Sequence, residues 1–180
     1  KSAVLTDLNA VRYAVLKPSS STRPATLKSY QQIFYIVSGE GEISTKESLA
    51  NLGEGVGVLM PEGVEYTMTN TGIEPLVMYV IEEPVKEGFV PKKDMIVRYE
   101  YDNNISTNIN RGGSRDWLFS PLDGLSTIVS FNPVMFEPES LVPPHVHEPG
   151  VEEVWIAVTG NMQIMVGSQQ RMLVPGGAYK

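Results

Sequence analysis

The chain has no cysteine, only two histidines and no long apolar run. Without thiols there is no disulfide, no thiolate metal ligand and no cysteine nucleophile, so zinc fingers, thioredoxin-like redox chemistry and cysteine hydrolases are excluded together. The longest apolar stretches, such as Leu76 to Ile81 and Val154 to Val158, fall far short of the roughly 20 residues that cross a bilayer as a helix, and no membrane partner is expected. Basic residues are scarce too. Lys and Arg number 14 against 21 Asp and Glu, a formal charge of −7, and Lys92-Lys93 is the single basic pair. Such a chain gives up the counterion-release term that dominates nucleic-acid affinity, so DNA and RNA are not expected either. The first residue is Lys1, not Met, which is compatible with a cytoplasmic location and equally with export after signal cleavage.

Of the 180 residues, 42% are hydrophobic, enough for a folded core. Glycine and proline are scattered throughout, and between them lie short runs rich in Val, Ile, Tyr and Phe: 33–37, 76–81, 126–131 and 154–158. Runs of this length bounded by turn formers predict strands and an all-β sandwich or barrel. Self-comparison adds an organising repeat. Gln32 to Gly39 lies over Glu153 to Gly160 at an offset of 121. Upstream, Val15 to Pro18 lies over Met135 to Pro138 at 120, and downstream Leu52 to Gly57 lies over Val174 to Tyr179 at 122. Two copies of one β unit follow, residues 1–93 and 94–180, with Glu82 to Lys93 as the connection and a further strand at Met95 to Tyr101. On this reading Val58 to Ile81 has no counterpart before Lys180, so the second copy is expected to be completed by further residues or by another chain.

Both histidines fall in Pro143-Pro144-His145-Val146-His147, followed by Glu148-Pro149-Gly150-Val151-Glu152-Glu153. In a strand, residues i and i+2 share a face, so His145 and His147 would stand side by side, and a neighbouring carboxylate could close a nitrogen and oxygen metal site. By itself an H-x-H is a weak signal and more often the mark of two surface histidines in a proline-rich loop. The surrounding pattern, with Glu153 seven residues before Gly160, resembles the first motif of the cupin family. A second motif of that family is matched by Gly55, Pro61, Glu62, Gly63 and Asn70, with Tyr66 standing where the family has His.

The resemblance implies a bicupin: two tandem cupin barrels of the jelly-roll or double-stranded β-helix type, the C-terminal one incomplete. It also implies His145, His147 and Glu153 as metal ligands, with Glu152 as the alternative acid and a fourth ligand expected near position 188. A set of this kind suits Mn, Fe, Ni, Co or Zn. In the first copy the corresponding positions are Pro24, Thr26, Gln32 and Tyr66, so that barrel is expected to hold no metal. By the same resemblance the protein is a metal-dependent enzyme acting on a small oxygen-rich substrate, such as a carboxylate, a sugar derivative or a dioxygenase substrate. The alternative is a non-catalytic module that binds or stores a small ligand. A homodimer is implied in either case. Arg111 to Asp116 reads as a turn leading into a strand at Trp117 to Phe119, and Ser19 to Ser21 as a loop with no histidine nearby to act as base.

Overall fold

A computed structural model describes residues 8–102, 106–108, 113–115 and 118–179. No α-helix occurs among them. They divide into two compact units, one running to Pro143 and the other starting at Pro144. In the first unit, β1 (Ala10–Leu16), β2 (Tyr30–Ser38), β3 (Gly41–Ser44), β4 (Leu49–Leu52), β5 (Val56–Met60), β6 (Thr67–Asn70), β7 (Leu76–Pro84) and β8 (Ile96–Tyr99) build two antiparallel sheets. Their orders are β1-β7-β2-β5-β8 and β4-β3-β6. The expected strand at Met95 to Tyr101 is β8, paired with β5.

Alternation in β2 sets the layers. Phe34 and Ile36 face inward with Val56, Val58, Met60, Leu76, Met78 and Val80 from the same sheet, and meet Ile43, Leu52 and Met68 from the other. The opposite face of the large sheet is also buried, with Ile33 at 0% and Leu59 at 1% exposure, because the segment from Leu118 to Phe131 lies over it. Gly57 permits that approach: a Cβ there would sit 2.3 Å from Leu118 Cδ2.

The expected strand over 126–131 is replaced by bends, with one bridge between Phe119 and Phe131. The cause is Glu83 at the end of β7, fully buried. Its carboxyl oxygens accept Ser126 N at 3.0 Å, Thr127 N at 2.8 Å, Thr127 Oγ1 at 2.9 Å and Ile128 N at 2.8 Å, together with Gln31 Nε2. Amides that a sheet ladder would use are spent on a side chain. Residues Arg111, Gly112, Asp116 and Trp117 of the expected turn and strand lie outside the described residues. Strands β9 (Ser106–Asn108), β10 (Gly113–Arg115) and β11 (Val134–Phe136) form a separate sheet in the order β11-β10-β9.

The second unit contains β12 (Trp155–Ile156), β13 (Met162–Val166), β14 (Gln169–Leu173) and β15 (Ala178–Tyr179), paired as β12–β15 and β13–β14. Their register reproduces that of the first unit 121 residues earlier. Phe34↔Val58 and Tyr35↔Gly57 recur as Trp155↔Tyr179 and Ile156↔Ala178. The β3–β4 pairs from Gly41↔Leu52 to Ser44↔Leu49 recur as Met162↔Leu173 to Met165↔Gln170. Gly55 N donates to Ile36 O, as Gly176 N does to Ala157 O, both at 3.0 Å. The downstream offset of 122 is therefore corrected to 121, which pairs glycines of positive φ, Gly55 at 78° with Gly176 at 81°. Closed barrels were expected and are not what the ladders form. The large sheet stops at β1 and β8, and the second unit consists of two-stranded ladders.

Replacing Glu83 with Ala leaves the half-buried amides of Ser126, Thr127 and Ile128 without their acceptor and should lower unfolding stability by about 1–3 kcal/mol, read as a lower urea midpoint. An unchanged midpoint would show that the clamp on 126–128 is not structural.

Candidate metal centre

The segment from Pro143 to Glu148 belongs to no assigned strand, so the paired histidines do not owe their proximity to a strand ladder. They meet nonetheless. The ring centroids of His145 and His147 are 5.2 Å apart and nearly perpendicular. Potential ligand atoms of His145, His147 and Glu153 all lie within 4.8 Å of one another. Among the described residues this converging set contains Glu153 and not Glu152. Ligand atoms held about 2.1 Å from one ion are at most about 4.2 Å apart, so small side-chain rotations close the set, and two imidazoles with a carboxylate are the right donors for a transition metal.

Glu153 Oε2 is the hub. His147 Nε2 stands 3.1 Å from it and Trp155 Nε1 donates to it at 2.8 Å. Glu153 lies just ahead of β12, two residues before Trp155, and its carboxylate reaches the indole of that strand's first residue. Both histidines are exposed and Glu153 is partly so, which makes the site open to solvent rather than enclosed.

The matching positions of the first unit carry a different arrangement, which sequence reasoning did not anticipate. Tyr66 donates its hydroxyl to Gln32 Oε1 at 2.8 Å, and Gln32 Nε2 donates to Glu82 Oε2 at 3.2 Å. Arg12 Nη1 lies 3.1 Å from the same oxygen, and Asn9 Nδ2 donates to Oε1. Burial is the largest influence on Glu82 and opposes ionisation, but the hydrogen bonds from Asn9, Arg12 and Gln32 with the Arg12 charge outweigh it and hold the carboxyl below its usual range. Burial, then the charge of Glu82, pushes the Tyr66 hydroxyl up, so it stays a donor. This network satisfies its own polar groups without an ion. The signal for it lay in the parity of β7, which turns Glu82 inward and Glu83 outward.

The remaining residues of the second motif are structural. Glu62 accepts the amide of Ser29. Asn70, 1% exposed, donates to Leu16 O and Glu74 O and accepts from Gly72 N.

Residues 12–82 match the family model described as a cupin domain. The fold is of the cupin type. Among solved structures, the chain is similar to the putative glyoxylate-induced protein from Pseudomonas aeruginosa, with a TM-score of 0.57 and 18% identity over 68% of this chain and 47% of that one. It is also similar to YhaK from Escherichia coli, with a TM-score of 0.56 and 15% identity over 96% and 74% of the two chains. Ylba from the same organism gives 0.56 and 9% over 98% and 76%. The chain thus spans about half the length of the Pseudomonas protein. At these identities the likeness is one of fold. No curated protein matches the sequence. The domain match supports the cupin superfamily for residues 12–82, and the neighbours show the fold.

Because Glu82 has a lowered folded-state value, its contribution to stability is present above the ordinary carboxyl range and is lost as the pH falls through the folded value. Urea midpoints between pH 7 and 3 should fall less steeply for Glu82→Gln than for the parent. Parallel curves would contradict an ionised Glu82 in the network.

Proposed function

We propose that residues 144–180 belong to a second cupin copy and that His145, His147 and Glu153 hold a divalent transition metal, one of Mn, Fe, Ni, Co or Zn. The convergence of these three side chains carries the reading. The sequence repeat supports it, since the offset of 121 sets Glu153 over Gln32 and Glu152 over Gln31. Gln32 turns inward to Tyr66 while Gln31 turns outward to Glu83, and this favours Glu153 over Glu152.

The metal would serve a reaction on a small oxygen-rich substrate. It would supply Lewis-acid chemistry or, as iron, redox chemistry. The chain's own part is to bind and orient: two neutral imidazoles donate nitrogen, and Glu153 donates oxygen and offsets the ion's charge. The solvent exposure of both imidazoles favours a second reading, a non-catalytic module that captures a small ligand at the same centre. The first copy would be structural, its network filling the place of an ion. Pairing of two chains is supported by β1, an edge strand with Val11, Tyr13 and Val15 exposed on one face.

Metal analysis of the purified chain should find one divalent ion per chain, removed by chelator. At a hundredfold excess over Kd the ion should stabilise the fold by about 2.7 kcal/mol, and His145→Ala should abolish that gain. A chain that takes up no stoichiometric metal, and whose stability His145→Ala leaves insensitive to added ion, would end the proposal. Turnover of carboxylate or sugar substrates that chelator stops separates the enzyme from the ligand-capturing module.

A further inference from the structure

We infer that Trp155 is a positioning residue for the metal centre, one that fixes the Glu153 carboxylate before an ion arrives; the inference rests on the metal-site reading above. The indole Nε1 donates to Glu153 Oε2 at 2.8 Å, and the same oxygen faces His147 Nε2 at 3.1 Å. Glutamate has three rotatable side-chain bonds, and a partly exposed one must be ordered when it becomes a ligand. A donor that orders it beforehand removes that cost. An indole suits the task because its N–H only donates and is no ligand itself, so it cannot compete with Glu153 for the ion.

The comparison of the two units strengthens the assignment. By register Trp155 occupies the place of Phe34, and the same offset of 121 sets Glu153 over Gln32. Phe34 packs edge-on against Tyr66, with centroids 5.4 Å apart, and has nothing to donate. There Gln32 is oriented instead by the Tyr66 hydroxyl and by Glu82. The ring with an N–H therefore stands in the unit whose neighbouring position is a carboxylate, and the ring without one in the unit whose neighbour is an amide already held from elsewhere. Half-buried in β12, Trp155 acts on the ion only through Glu153.

The test uses the full chain and Zn(II) alone, with affinity read by competition against a chromophoric chelator. Trp155→Phe, which keeps an aromatic ring and deletes the N–H, should raise the Zn(II) Kd about 10- to 100-fold while leaving the metal-free thermal midpoint unchanged. A Kd within twofold of the parent, in a parent whose binding His145→Ala abolishes, overturns the positioning role and leaves the metal site standing. Zn(II) binding that is absent from the parent, or indifferent to His145→Ala, fails the metal reading itself. A second measurement does not depend on how Trp155→Phe folds. In the metal-free parent, the Trp155 indole N–H resonance, assigned with a Trp117→Phe variant, should be protected from solvent exchange, and Glu153→Ala should remove the protection. An indole N–H that exchanges freely in the parent overturns the proposal.

Discussion

A β-strand presents successive side chains to opposite faces, and the register of β2 against β5 and β7 is the constraint from which the rest of the molecule follows. It turns Gln32 and Glu82 into the space between the sheets and Gln31 and Glu83 away from it. Two adjacent glutamates thereby acquire unrelated tasks. Glu82 joins the inward network with Gln32, Tyr66 and Arg12. Glu83 captures the amides of 126–128 and holds the covering segment on the outer face. A slip of one residue would exchange them, stranding the clamp in the core and exposing the inward network.

The same parity reaches the candidate centre. The repeated register begins at Trp155, which pairs with Tyr179 as Phe34 pairs with Val58, and the same offset of 121 sets Glu153 over the inward-facing Gln32. What differs between the units is chemistry. In the first, an amide, a phenol and an ion pair satisfy one another. In the second, a carboxylate and two imidazoles come together with the indole N–H as a further donor to that carboxylate.

Much of this was legible in the sequence. The alternation in 33–37 and 76–81 marks β2 and β7 correctly, the offset of 121 appears between Gln32 and Glu153, and the two histidines with Glu153 form the converging set. The rest was hidden for definable reasons. The run 126–131 has the Ile, Val and Phe of a strand, yet its amides answer to Glu83, a side chain over 40 residues away that local propensity does not register. The downstream offset of 122 came from aligning glycines by type, whereas the ladders align them by backbone conformation. Closure into barrels was a property of the family pattern and not of these residues. The network around Glu82 needed the inward parity of β7, which a nearly continuous apolar run obscures.

X-ray absorption at the zinc edge of the Zn(II)-loaded chain addresses the centre most directly, because imidazole ligands leave a characteristic outer-shell scattering pattern. The account predicts two imidazole nitrogens and carboxylate oxygen in the first shell at about 2.0–2.2 Å. A shell of oxygen scatterers without the imidazole pattern would contradict it.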